Sequence, residues 1–552
     1  MLATKHQNTI ENAVKANHER RFYSQYPEHP KAYGEEAATK GAAQFQQLLQ
    51  QPFDQLLQTG TGTRVGEEIS PYTREELGIT YPAFTVEELV TKAGASARQW
   101  ANTPATNRAD VLVETLERIK SFFFEIAYAT MHTTGQSFMM SFQASGPHAN
   151  DRALEAIAMG YEELNRFPAE QMWEKPMGKI NLQLKKTFKA VPKGIGLVIG
   201  CSTFPVWNSL PGIYADLITG NPVIVKPHPK AVLPIAIAIG AIQQVLQENG
   251  FDPHLCQLAT DTSAQPITKA LCEHPQVSLI DYTGGSSFGE YVESLTGKTV
   301  FTEKAGVNSV ILDSVKDIDA VVQNLAFAVS LYSGQMCTAP QNFFIPEQGL
   351  STDKGNLSFN EVTQKIKDAI AALVNNPKMA AGTLGAVQND TTLQRAQDAG
   401  KMGGKVLLQG GPVINEEFNN ARVCSPTVIE VTSADHDIYE KELFGPVILL
   451  IKTKDTDHSI QLAKQMAKQH GAITCGAYTN DPVVKEKIAE EMNSVFTPVS
   501  FNFTGLIWVN QHAAFSDFHV TGGNPAGNAS FTNQEFIVKR FVWVGNREVV
   551  GS

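Results

Sequence analysis

Strand and helix alternate over two long stretches of this chain, and the fold class predicted from them is α/β, in two domains with a projecting β-ribbon. Three observations carry that prediction. From Ile195 to Val300 apolar runs alternate with helical ones, the mark of a parallel sheet. From Glu303 to about Asn510 a second α/β stretch follows, with strands near Val310 and Val447 and a helix from Ile318 to Leu331. Between helical and α/β regions, Ile180-Asn181-Leu182-Gln183-Leu184 alternates strictly and Thr187 to Val191 continues it, as a two-faced ribbon does.

Taken in order, the first 70 or so residues are rich in Gln, Glu and Lys, and Gln44 to Leu57 reads as one or two amphipathic helices. From Val86 to Phe167 the helical period persists, with Val111, Leu112, Leu116, Ile119 and Phe122 at three- and four-residue steps. Ile195 to Ile199 reads as a buried strand, Leu210 to Ile218 as a helix, Pro222 to Lys226 as a strand and Leu233 to Asn249 as a helix. Ser278 to Tyr282 is a later strand, followed by Thr283-Gly284-Gly285 and the helical run Phe288 to Leu295. Arg540 to Val544 closes the chain as an amphipathic strand able to pair with the ribbon. These divisions set apart a helical extension over 1–85, the segments 86–178 and 192–302, a ribbon over 179–191 with a tail over 530–552, and a second α/β stretch over 303–529.

Composition narrows the class. A chain of 552 residues exceeds what one core organises. Its 42% hydrophobic and 18% charged residues are ordinary for a globular protein, and a net charge of −11 argues against nucleic acid or an anionic membrane as partner. The start is polar, unlike a secretion signal, and the longest apolar stretch, Ala231 to Gly240, is too short to span a bilayer. Six scattered cysteines without a CxxC pair predict free thiols in a reducing cytoplasm, with neither disulfide framework nor metal centre.

Two residues stand in segments that packing does not explain. Cys337 follows Tyr332-Ser333-Gly334-Gln335-Met336, and Glu303 follows the strand-like Val300-Phe301-Thr302 and precedes Lys304-Ala305-Gly306. The intervening residues hold one strand and one helix, enough to return the thiol to the carboxylate. A thiol that attacks a carbonyl beside a carboxylate that activates water is a means of oxidising an aldehyde. Gly194-x-Gly196-x-x-x-Gly200 lies within a strand and lacks dinucleotide-fingerprint spacing. Gly284-Gly285 is better placed, after a strand and before a helix, where amides face a pyrophosphate or simply make a tight turn.

With these segments in order, the chain from about Val86 onward resembles the aldehyde dehydrogenase superfamily. Phe204-Pro205, Gly220-Asn221-Pro222-Val223-Ile224-Val225-Lys226-Pro227, Tyr282-Thr283-Gly284-Gly285, Glu303, Gly334-Gln335-Met336-Cys337, Glu442-Leu443-Phe444-Gly445-Pro446 and Trp508-Val509-Asn510 carry the resemblance. It implies that 86–178 and 192–302 form one Rossmann-type cofactor domain and 303–529 an α/β catalytic domain, and that ribbon 179–191 and tail 530–552 form one arm that joins subunits into a homodimer or homotetramer. It also implies Cys337 as nucleophile, Glu303 as general base and Thr203 as oxyanion donor, or alternatively as cap of the helix after Pro205. Ile199, Ser202, Thr203, Lys226, His228, Gly284, Gly285, Glu303, Glu442 and Phe444 would line the cofactor. Lys226 would hold the adenosine ribose or its 2′-phosphate, and Glu442 the nicotinamide ribose.

Within the superfamily the long extension, Lys226-Pro227-His228-Pro229, Ala514-Phe515-Ser516-Asp517 and Gly522-Gly523-Asn524-Pro525-Ala526-Gly527-Asn528 resemble the phenylacetic acid degradation branch. That branch implies a ring-opened, CoA-linked semialdehyde as substrate. Two departures from the family pattern matter. Thr203 stands where most relatives have asparagine, and Pro229, between His228 and Lys230, stands where many NAD-preferring relatives have glutamate. The missing acid predicts NADP used at least as well as NAD. The competing readings are acylating oxidation to a CoA thioester, which needs no base at Glu303, and a cofactor-binding protein without dehydrogenase activity.

Overall fold

Five parallel strands form the sheet that the first α/β stretch predicts. In the computed structural model, which describes residues 5–515, 517, 519, 522–528 and 533–550, their spatial order is Cys256–Leu258, Val223–Lys226, Ile195–Ile199, Val277–Thr283 and Thr299–Glu303. The chain leaves Ile195–Ile199 toward one edge and returns beside it toward the other. The sheet therefore has a switch point between Ile195–Ile199 and Val277–Thr283, where open α/β sheets bind ligands at their strand ends. The flanking helices Pro205–Ile218 and Leu233–Glu248 are apolar almost all round because both are buried between sheet and outer helices. No described helix is long and apolar enough to cross a membrane.

The second sheet has seven strands, in the order Lys405–Leu408, Thr427–Thr432, Val447–Thr453, Asn342–Pro346, Ser309–Leu312, Cys475–Tyr478 and Val499–Phe501. All neighbours are parallel except the antiparallel edge strand Lys405–Leu408. The β-ribbon pairs with the C-terminal strand: Phe541–Val549 runs antiparallel along Ile180–Pro192. Glu170–Met177, placed by sequence with the cofactor-type domain, instead pairs antiparallel through its whole length with residues 180–187 of the ribbon and is the arm's third strand. Residues 530–532 and 551–552 of the arm, like 1–4 of the extension, lie outside the described residues.

One buried ion cluster ties the C-terminal segment to the first sheet. Arg540 donates to Asp216 on Pro205–Ile218 at 2.7 Å and to both oxygens of Asp281 on Val277–Thr283 at 2.6 and 2.7 Å. Its guanidinium stacks on Phe301 and Phe536.

The extension differs from its expected helical form. Helices Gln7–Glu19 and Ala37–Leu48 are present, but 49–57 is not helical: the second helix stops before Leu49, which is extended, Gln50 has φ 58° and Pro52 lacks a donor. The rest of it serves the first sheet. Buried Glu68 accepts the Val232 and Leu233 N–H groups at 2.6 and 2.9 Å, satisfying the otherwise unpaired start of Leu233–Glu248.

Candidate active site

Glu303 is the last residue of its strand, and Cys337 lies in the loop before Asn342–Pro346. That loop is shaped by three consecutive left-handed residues, Tyr332, Ser333 and Gly334, with φ of 52°, 51° and 67°. For the two non-glycine residues such backbone costs about 1–3 kcal/mol each. It is held by the Ser333 hydroxyl, which donates to the Gly385 and Cys424 carbonyls at 2.9 and 3.0 Å. Gly334 is required outright, because a Cβ there would stand 2.4 Å from the Gly445 carbonyl oxygen. Asn308 then fixes the nucleophile segment by donating to the Cys337 carbonyl at 2.7 Å.

Between thiol and carboxylate stands a residue that the sequence reading missed. His519 Nε2 lies 2.9 Å from Glu303 Oε1 and 3.5 Å from Cys337 Sγ, and its other nitrogen lies 2.7 Å from the Asn510 side-chain amide. The three reacting-type atoms all fall within 4.8 Å of one another. Trp207 packs its ring edge to face with the imidazole, and buried Arg152 lies on the Trp207 face while donating to the Trp207 carbonyl. Asn208 contributes a further donor, 3.4 Å from Glu303 Oε2. None of these residues announces itself locally; they come from the helix Ala149–Asn165, the helix Pro205–Ile218 and the 510–528 loop.

The charges are strongly coupled. Burial pushes the Glu303 carboxyl up, but His519 and then Arg152 outweigh it and hold it below its ordinary value. Burial and the neighbouring Glu303 push the Cys337 thiol well above its ordinary value, with Arg152 opposing. The loop beside Glu303 is closed by the tail: Lys304 N–H donates to the Ala526 carbonyl, and Asn528 N–H to that of Thr302 at 3.0 Å. Ser516, part of the motif before this tail, lies outside the described residues.

Thr203 is placed differently from expectation. Its hydroxyl points toward Cys201 Sγ at 3.9 Å, and its carbonyl accepts from Gln136 at 2.7 Å. Nor does it cap the following helix, whose N-cap is Phe204 without a side-chain cap bond. Ile199 ends its strand, and Ser202 stands half-buried in the loop after it.

At the switch-point crevice the residues fit a dinucleotide. Gly285 is the N-cap of Ser286–Glu293, with no side-chain cap and open space where a Cβ would be, so the helix start is bare. A Cβ at Gly284 would stand 2.5 Å from the Tyr282 hydroxyl, so a side chain there would have to displace that ring. On the other side, Glu442 accepts from Gly306 N–H at 3.4 Å, and burial pushes its carboxyl up to about 7. Phe444 stands in the same loop, its carbonyl accepting from Arg395.

The corner around Lys226 is not free of acids, although position 229 carries none. Lys226 is buried and paired with Asp261 at 2.6 Å, so an acid reaches the lysine from beyond Cys256–Leu258, not from position 229. Glu67 of the extension adds a second carboxylate nearby, accepting from Ser263 N–H at 3.0 Å. Burial pulls His228 down to about 4, which leaves its imidazole uncharged at neutral pH.

A cavity of about 260 Å³ opens onto Cys337. Met139, Met140, Phe204, Trp207, Phe327 and Trp508 give it an apolar, aromatic wall, and no lysine or arginine is among its described lining residues.

The chain as a whole is similar to known proteins. The family model described as "Aldehyde dehydrogenase family" matches residues 58–537. The chain belongs to the aldehyde dehydrogenase family. It is accordingly an oxidoreductase acting on aldehydes. A solved NAD-dependent aldehyde dehydrogenase from Burkholderia multivorans is 43% identical, with a TM-score of 0.97 over 100% of this chain and 99% of that one. The 1-pyrroline-5-carboxylate dehydrogenase of Bacillus subtilis is 24% identical over 72% of this chain and 74% of its own length. A Thermus 1-pyrroline-5-carboxylate dehydrogenase with bound NAD shares the fold, at 18% identity and a TM-score of 0.74 over 96% of this chain and 99% of that one.

Proposed function

We propose that this aldehyde dehydrogenase oxidises an apolar aldehyde to its carboxylic acid with NAD or NADP, water being the final acyl acceptor. The observation that carries the reading is the buried Cys337–His519–Glu303 contact at the end of an apolar cavity. Cys337 attacks the aldehyde carbon to give a thiohemiacetal, and loss of hydride leaves a thioester on sulfur. Bound in the switch-point crevice, the nicotinamide cofactor supplies the acceptor for that hydride. Glu303, held ionised, takes a proton from the water that hydrolyses the thioester. Its place beside Cys337 favours hydrolysis over transfer to coenzyme A.

Ile199, Ser202, Gly284 and Gly285 would hold the pyrophosphate side of the cofactor, Lys226 with Asp261 its adenosine ribose, and Glu442 with Phe444 its nicotinamide ribose. Asp261 and Glu67 at the ribose corner favour NAD, because a 2′-phosphate would meet two carboxylates there. In this reading 86–169 and 192–302 bind cofactor and 303–529 carry catalysis. The arm's exposed Trp173, Ile180, Val542 and Val544 are covered by a second copy of the chain, giving a homodimer or homotetramer. Six free cysteines agree with a reducing cytoplasm.

The substrate follows from the wall. The Bacillus subtilis relative is named for 1-pyrroline-5-carboxylate, an acid, whereas this cavity offers no described lysine or arginine to a carboxylate. An uncharged apolar chain fits it better, and the acyl end of a CoA-linked, ring-opened semialdehyde of phenylacetate degradation is such a chain. A screen of cofactor reduction with aliphatic, aromatic, acidic and CoA-linked aldehydes tests this. Higher kcat/KM for the apolar or CoA-linked members is expected; preference for glutamate semialdehyde would refute it.

A further inference from the structure

We infer that His519 is a catalytic residue that holds the Cys337 proton, so that the resting enzyme contains a thiolate–imidazolium pair flanked by the Glu303 carboxylate. This rests on Cys337 being the nucleophile and adds the group that activates it. The geometry comes first: one ring nitrogen, Nε2, is 3.5 Å from the sulfur and 2.9 Å from the carboxylate, and the imidazole is almost wholly buried. The ring is oriented from behind by Asn510 and from the side by Trp207.

Charge balance supplies the need. A thiolate 4.8 Å or less from a carboxylate, in a largely buried site, is repelled unless positive charge stands against both. Even with Arg152 opposing, burial and Glu303 hold the thiol well above its ordinary value, so the sulfur stays a poor nucleophile unless a further positive charge meets it. An imidazolium in contact with both anions removes that penalty, and buried Arg152, acting on Cys337 and Glu303, adds a second positive charge. Among the described residues the facing titratable groups are Cys337, Glu303, Arg152 and Cys201, whose own thiol burial keeps protonated.

In the step itself the S–H bond breaks and an N–H bond forms on the ring, with no change of oxidation state. Nε2–H then lies between thiolate and carboxylate. Nδ1 faces the Asn510 side-chain amide at 2.7 Å, and which amide atom meets it follows from the ring's protonation. When water later releases the product, the departing thiolate re-forms the same pair.

The test is the pH dependence of Cys337 alkylation by iodoacetamide, read by peptide mass mapping on the full chain without aldehyde or cofactor. Wild type, His519→Ala and His519→Gln are compared from pH 5 to 10. Wild type is expected to reach half its maximal rate below about pH 7.5, the range of paired catalytic thiols. Both variants are expected to react at least about tenfold more slowly at pH 7 and to rise to the general-thiol range of about 8.5 or above. A wild-type midpoint at or above about 8.5, or variant profiles that coincide with wild type, overturns the inference. Should the variants misfold, ¹⁵N-histidine spectra of wild type decide it. One imidazolium resonance at pH 7 should become neutral when Cys337 is alkylated, and its absence overturns the pair. Failure of Cys337→Ser to abolish aldehyde oxidation would remove the nucleophile reading and this inference together. A required, alkylatable Cys337 indifferent to His519 removes this inference alone.

Discussion

Replacing Arg540 with methionine should destabilise the first sheet far more than an ordinary substitution would. The guanidinium and the Asp216 carboxylate are wholly buried, and Asp281 is nearly so. Methionine fills most of the volume between Phe301 and Phe536 but leaves two carboxylates facing each other without a cation. Breaking a buried ion pair by removing one partner costs about 3–5 kcal/mol. At 2–4 °C per kcal/mol for a domain of 150–250 residues, that is a fall of roughly 6–20 °C in the first unfolding transition. The pH dependence has a definite sign. Burial and the neighbouring Asp281 raise the Asp216 carboxyl and Arg540 opposes them, so without Arg540 it rises further above its unfolded value and the folded state binds a proton more readily than the unfolded one. The deficit should therefore be full near pH 8 and shrink as pH falls toward 5. Differential scanning calorimetry of wild type and Arg540→Met at both pH values measures it. A shift under about 2 °C, or a deficit that grows on acidification, would refute the reasoning.

Two further outcomes follow from the cofactor crevice. Asp261→Asn should raise kcat/KM for NADP relative to NAD by at least about tenfold, because it removes a carboxylate from the corner where a 2′-phosphate would sit; an unchanged ratio in steady-state kinetics would contradict that placement. Glu442 is the second: with its carboxyl at about 7, it is ionised and able to accept two ribose hydroxyls above that pH. The KM for cofactor should stay flat above pH 7 and rise as pH falls through it, and Glu442→Gln should abolish that rise. A pH-independent KM would argue against ribose binding there.

Much of this architecture was legible in the sequence because its determinants are local. Apolar runs such as Ile195–Ile199 and Val223–Lys226 are buried on both faces, and so read as strands without any knowledge of their neighbours. Cys337 and Glu303 were legible for the opposite reason, standing in glycine-bearing turns where a core role is implausible. The extension past Leu48 misled, because its apolar residues keep a helical spacing while Gln50 and Pro52 break the helix. Glu170–Met177 was missed since its eight residues are all exposed and its partner strand supplies the order. His519 and Asp261 could not be found locally. The first meets Glu303 across 216 residues of chain, and the second reaches Lys226 from the end of a neighbouring strand. Such contacts are products of sheet topology, and no period in the sequence encodes them. Thr203 shows the converse: a position that the family pattern marks as a donor here turns its hydroxyl to Cys201.

The most direct test of the whole account is the mass of intact Glu303→Gln protein mixed with excess aldehyde and cofactor, recorded alongside the first seconds of cofactor reduction. Loss of the general base should slow turnover by about a hundred- to ten-thousand-fold. The account requires one equivalent of reduced cofactor per chain in a rapid burst, with an acyl group retained on the peptide that contains Cys337. An unmodified Cys337 with no burst, or wild-type turnover from the variant, would contradict it.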